Sequence, residues 1–202
     1  MNEPTVITAP LLEPVSLADA RTALAIDLAG SQDKLLSTYI AAARRYFEWR
    51  TGRTVQQTTL EWTRDAFPAE GYIVLPRATP LISIDAFTYK DNAAAVTAVP
   101  AADYFADTDS TPGRVVLVYG ASWPSFTAYP SNAVRIRYTA GLASSPVQEA
   151  AEDIQLPILL LTAHFYENPI AVLAVERGTP GQIVLAYALE HYLEKLQVEY
   201  VF

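Results

Sequence analysis

The only two histidines of the chain each stand three residues before a glutamate, in His164-x-x-Glu167 and His191-x-x-Glu194. On a helix that spacing puts both side chains on one face, where they could bind a metal ion or relay a proton. Carboxylate-bridged di-metal bundles use the opposite order, Glu-x-x-His, with further glutamates pointing inward. Here the order is reversed, and the helices nearer the N-terminus offer no matching inward acid. The structural alternative is that each histidine gives a polar tip to helix packing or to a subunit contact. Without a cysteine, the chain has neither a disulfide framework nor a thiolate metal ligand. A serine nucleophile would need a strained Gly-x-Ser-x-Gly elbow, which is absent, and Gly120-Ala-Ser122 reads as a loop. No glycine-rich phosphate loop is present either. These residue types therefore assign no catalytic residue, no cofactor and no metal site.

Cationic and aromatic residues are more suggestive. Arg135 and Arg137 project from one face of an alternating segment, and Arg44, Arg45, Arg50 and Arg53 gather near the end of a helix. They form either a solvated face with local salt bridges or a surface that meets acidic groups of a neighbouring subunit or lines a path for DNA. Tyr200-Val201-Phe202 ends an apolar, aromatic segment with only Glu199 charged. Such a segment either folds back on the protein or anchors an interface.

The elements that position these residues follow from periodicity. Residues 1–13 read as an extended arm. Ser16 can cap a helix in which Leu17, Ala20 and Leu24 share a face and Asp19 favours the N-terminus. A second helix carries the stripe Leu36, Ile40, Ala43 and Phe47, with Arg44 able to pair with Glu48 one turn on and Gly52 as its stop. From Thr54 the period becomes two. Strands are predicted at Thr58–Arg64, Ile82–Tyr89, Arg114–Tyr119 and Val134–Tyr138, separated by turn residues such as Thr111-Pro112-Gly113. Strands in series without helices between them make a mostly antiparallel sheet.

A third helix runs through Asp153 to Asn168. Ile154, Ile158, Leu161 and Phe165 form its stripe, and Leu159, Leu160 and Ala163 make it apolar nearly all round, so it should lie centrally with other helices around it. Pro157 either opens it or kinks it after a start near Ala151. A last helix is expected from Thr179-Pro180-Gly181-Gln182, with Leu185, Leu189, Leu193 and Leu196 as its stripe and Tyr192 beside it. The expected fold is α+β. The N- and C-terminal parts form a small helical bundle, residues 1–54 and 147–202, and an antiparallel β insertion, residues 55–146, lies between helices two and three.

At 202 residues, 51% hydrophobic and 18% charged, the chain can bury one domain's core. A net charge of -8 argues against a dedicated grip on nucleic acid, though not against standing beside DNA. Lacking both a secretory signal and a bilayer-length apolar run, it reads as a soluble intracellular protein.

Six segments in order are similar to a known family. They are Pro14-Val-Ser-Leu-Ala-Asp-Ala-Arg21; Tyr39-Ile-Ala-Ala-Ala-Arg-Arg-Tyr46 with Thr51-Gly-Arg53; Leu75-Pro-Arg77; Ser122-Trp-Pro124; Asn132-Ala-Val-Arg-Ile-Arg-Tyr-Thr-Ala-Gly141; and Ile158-Leu-Leu-Leu-Thr-Ala-His-Phe-Tyr-Glu-Asn168. On these the sequence resembles the head–tail connector (adaptor) proteins of long-tailed bacteriophages and of gene transfer agents. The resemblance implies a structural virion protein without catalysis. It would form a homo-oligomeric ring, usually of twelve subunits, beneath the portal protein, extend the DNA channel, and present a platform to the next connector or tail-terminator protein. DNA would pass through without sequence-specific binding, and no membrane is involved. Related C-terminal segments reach the portal, which singles out Tyr192, Leu196, Tyr200, Val201 and Phe202 for that contact. The arginines at 44, 45, 50, 53, 135 and 137 become candidates for subunit contacts or the channel wall. Two alternatives come from other classes. One is a β insertion that binds carbohydrate or protein through Trp62, Trp123 and tyrosines, and the other is a metal-dependent hydrolase built on the two His-x-x-Glu pairs.

Overall fold

The computed structural model describes residues 3–26, 30, 32–142, 152–168 and 187–198. The fold is α+β, with four helices and antiparallel sheets among these residues. The chain divides into two compact units, one of residues 1–12, 52–146 and 198–202 and the other of residues 13–51 and 147–197.

The first unit is built on sheets. Its larger sheet has the order β1-β2-β8-β4-β5, made of Thr5–Thr8, Thr58–Arg64, Val134–Ala140, Leu81–Lys90 and Val96–Ala98. A smaller sheet has the order β3-β7-β6, from Tyr72–Val74, Arg114–Leu117 and Tyr104–Asp107. Every ladder is antiparallel. Alternation places the strands: Leu60 and Trp62 of β2 face inward with Val134, Ile136 and Tyr138 of β8, while Glu61, Arg135 and Arg137 face out. Ile73 and Val115 of the smaller sheet join the same core, with Leu75, Leu81 and Phe87. The arm expected at residues 1–13 is a strand over Thr5–Thr8, which pairs with β2 in the register Thr5 to Glu61. Residues 1–12 group with the sheets.

In the second unit, α1 spans Leu17–Ala23. Ser16 caps it by accepting a hydrogen bond from the Asp19 backbone N–H at 3.1 Å, and the Ser16 hydroxyl donates to the Asp19 carboxylate at 2.6 Å. The second helix, α2, spans Asp33–Thr51 and buries the expected Leu36, Ile40, Ala43 and Phe47. After it, Gly52 takes φ +70°, the left-handed conformation that glycine adopts without steric cost. The third, α3, spans Glu152–Glu167 with Pro157 inside it. Proline there removes the N–H that would have met the Asp153 carbonyl, yet packing of Ile154, Ile158 and Leu161 holds the helix.

As expected, α3 packs against α1, α2 and α4. Leu156 and Leu160 are 42% and 40% exposed, so the described residues do not enclose the helix on all sides. Aromatic edges fasten it to α2, with Tyr39 against Tyr166 and Tyr46 against Phe165, each pair at 6.5 Å between centroids. The last helix, α4, is described over Tyr187–Leu196, with Leu189 and Leu193 buried. Its expected start at Thr179-Pro180-Gly181-Gln182, and Leu185, lie outside the described residues.

Candidate functional site

The histidine pairs do not build a site. His164 lies half-buried near the end of α3, its ring tilted against Phe165, and its carbonyl accepts from the backbone N–H and side-chain amide of Asn168 at 3.0 Å each. Glu167, His191 and Glu194 are exposed. Among the described residues no three histidine, aspartate or glutamate side chains gather where they could hold a metal ion.

Of the aromatic side chains weighed as a ligand platform, the two tryptophans are engaged in packing, while Tyr72 and Tyr119 stay exposed. Trp62 is 3% exposed. Phe67 stacks on Trp123 at 5.3 Å and 3°, and Phe87, Tyr89 and Phe126 close around them. The Trp123 indole N–H donates to the Glu70 carbonyl at 2.7 Å, which satisfies the ring's one polar group.

The arginines separate into three environments. Arg44 is buried: its Nε donates to Glu13 at 2.6 Å and another guanidinium nitrogen to Glu48 at 3.0 Å. Burial alone would lower its pKa, but the hydrogen bond it donates to Glu13 and the charges of Glu48 and Glu13 outweigh it, so the pKa lies above the ordinary value. The expected pairing with Glu48 is present, and Glu13 is the partner the sequence did not reveal.

Arg135 and Arg137 both grip Glu61 on the outer sheet face, at 3.0 and 2.9 Å. Glu61 lies directly opposite Arg137 in the ladder, and Arg135 reaches it diagonally. Both guanidinium groups remain largely exposed, so these pairs contribute little to stability and leave cationic surface available. The signal for Glu61 was its outward place in the alternating Thr58–Arg64 segment.

Arg45 and Arg50 are exposed on α2 and make no ion pair among the described residues, while Arg53 is half-buried and engaged within the chain. Between Arg45 and Arg50 stands Trp49, 64% exposed and leaning on Tyr46. Sequence reasoning passed over Trp49 because its position falls off the buried stripe.

The second unit also carries a groove of about 410 Å³, lined by Val15, Asp19, Asp153, Leu156, Leu159 and Tyr192. Three helices and the segment entering α1 contribute to it. Apolar walls and two carboxylates give it the character of a docking cleft. Leu196 is half-buried one turn beyond Tyr192, and Tyr200, Val201 and Phe202 lie outside the described residues. Among the described residues no helix is long and apolar enough to cross a membrane.

Residues 14–105 match the model of a family described as phage gp6-like head-tail connector protein. No curated protein sequence matches the chain. Among solved structures, a chain in the neck of an empty GTA particle, computed with C6 symmetry, superposes with a TM-score of 0.76 at 23% identity. That match covers 100% of this chain and 98% of the other. A chain in the neck of the native particle, computed with C12 symmetry, gives 0.74 at 23% identity over 100% and 98%. A chain in the virion of a native gene transfer agent gives 0.73 at 23% identity over 98% and 97%. The resemblance carried by the sequence motifs is thus borne out: residues 14–105 bear the mark of the phage head-tail connector family, and the whole chain has the fold of a chain found in gene transfer agent necks.

Proposed function

We propose that this protein is a structural subunit of the neck that joins a phage-type head to its tail, acting as a ring-forming connector and not as an enzyme. The observation that carries this reading is the end-to-end fold match to chains in necks computed with six- and twelve-fold symmetry, together with the connector-family match over residues 14–105. Identical copies arranged about a closed axis meet through two different patches, and twelve copies is the ring the family resemblance implies. The ring sits beneath the portal in the virion, continues the DNA channel, and offers its far face to the next connector or tail-terminator protein. A net charge of -8 suits a conduit, because like charge keeps DNA from adhering to the wall. Portal contact is assigned to Leu196, Tyr200, Val201 and Phe202, and Tyr192 leaves that set because it lines the groove. Arg45, Arg50, Arg53, Arg135 and Arg137 are assigned to subunit contacts or the channel. Arg44 leaves that set, since its charge is met inside its own unit.

Electron microscopy of the protein mixed with portal complexes from its own genome tests this, with the protein alone as control. A new layer of density, symmetric about the portal axis, is the expected result. Absence of any added layer, on portal complexes and on DNA-filled particles alike, would overturn the connector role.

A further inference from the structure

We propose that the ring is closed by the exposed Arg45–Trp49–Arg50 patch of one subunit docking into the acidic, apolar groove of the next. This rests on the connector reading and names the two unlike patches that a closed ring of one chain requires. The groove presents Asp19 and Asp153 beside Val15, Leu156, Leu159 and Tyr192. No residue of α2 lines it, so the two patches are separate surfaces of the same unit.

The patch and the groove match in charge and in character. Arg45 and Trp49 are four residues apart and share one face of α2, with Arg50 next to the indole. Both arginines are exposed and without an ion pair among the described residues, and Trp49 is 64% exposed. An indole flanked by two guanidinium groups is the combination most enriched at the centres of interfaces. The groove supplies what each part of the patch lacks: an apolar seat for the ring and carboxylates for the cations. Leu156, 42% exposed in the isolated chain, would be covered by the same contact. At about 410 Å³ the groove falls within the range of pockets that take a group of this size. The neighbouring copy is the occupant favoured by this charge complementarity.

The test uses the full chain and portal complexes, with ring formation scored by electron microscopy and subunit association by mass photometry. Trp49→Ala should weaken association on the order of 30-fold, the effect of losing a central aromatic anchor. Asp153→Lys and the double variant Arg45→Glu/Arg50→Glu should each abolish rings while lowering the urea midpoint only slightly, because all three positions are exposed and the reversed charges at Asp153 and Arg50 oppose only the helix-end dipoles. Mixed together, these last two variants retain one intact patch and one intact groove between them. The other contact in the mixture sets the reversed patch against the reversed groove, so association lost in each variant alone should return when the two are mixed. Rings of normal size from every variant would overturn the inference while leaving the connector reading intact. Loss of portal binding with undiminished self-association would overturn it too, and would give the groove to a portal segment. A wild-type protein that forms no ring with portal would remove both.

Discussion

Arg44 and Glu13, 31 positions apart, meet at 2.6 Å, and the same guanidinium reaches Glu48 one helical turn away at 3.0 Å. The segment that leads into α1 is therefore tied to α2 through a charge that is only 5% exposed. Removing the cation leaves Glu48, 2% exposed, without this partner, and buried pairs broken on one side cost several kcal/mol. Arg44→Ala should lower the unfolding free energy by about 3 kcal/mol, measured by urea denaturation. Glu13→Gln should cost about 1 kcal/mol, because an amide oxygen still accepts and the side chain is 30% exposed. Equal small effects for both would show that Arg44 is solvated. A charge-reversal series for ring contacts must accordingly leave Arg44 out, since its loss reads on folding.

Asp107 gives the β unit a pH dependence of known sign. Its carboxylate is held by the Ser110 hydroxyl at 2.7 Å and by Arg114 at 2.7 Å. These bonds favour the charged form and lower its pKa from 3.8 to about 2. The folded protein thus takes up this proton later than the unfolded chain. The resulting stabilisation is complete above the unfolded value of 3.8 and is lost as pH falls towards 2. The wild type should lose stability more steeply than Asp107→Asn across that interval, by urea midpoints taken at stepped pH. Parallel curves would show that the carboxylate has no preferential bond in the folded state.

How much of this was legible depended on whether burial left a local trace. The bounds of β2 were readable because Leu60 and Trp62 alternate with outward Thr59 and Glu61, and Ser16 was readable as a cap from its spacing to Asp19. The strand at Thr5–Thr8 was not, because all four residues are exposed and give no alternation. Three-residue strands such as Tyr72–Val74 and Val96–Ala98 are too short to show a period. For α3 the apolar composition announced a central helix, which packs against α1, α2 and α4, but did not show that Leu156 and Leu160 face out. The groove joins Val15 to Tyr192 across three helices, and no local spacing encodes such a meeting.

Gly141 closes the Asn132–Gly141 segment for a steric reason. It has φ +127°, and an added Cβ would lie 2.4 Å from the Gln56 carbonyl oxygen. Its own N–H donates to the Pro80 carbonyl at 3.0 Å, so the backbone cannot swing aside without losing that bond. Gly141→Ala should therefore destabilise the protein by about 2 kcal/mol, combining backbone strain with the clash. Gly120, also at positive φ but with nothing near its absent Cβ, is the control and should cost less when changed to alanine. Equal losses at the two sites would mean that the contact with Gln56 contributes nothing.

Trp123 decides between a packed aromatic cluster and a ligand platform. One face of its ring is stacked on Phe67 and its N–H is bonded to the Glu70 carbonyl, so that face and the donor are already engaged. Trp123→Ala should cost about 2 kcal/mol of stability, the low end for an aromatic truncation because the ring is only half-buried. Trp123→Phe should recover part of that, keeping the stacking but losing the hydrogen bond. Ring assembly at a temperature well below unfolding should be unchanged in both variants. A saccharide or peptide whose binding to the wild type vanishes in Trp123→Phe, with stability unchanged, would instead give the β unit a recognition role.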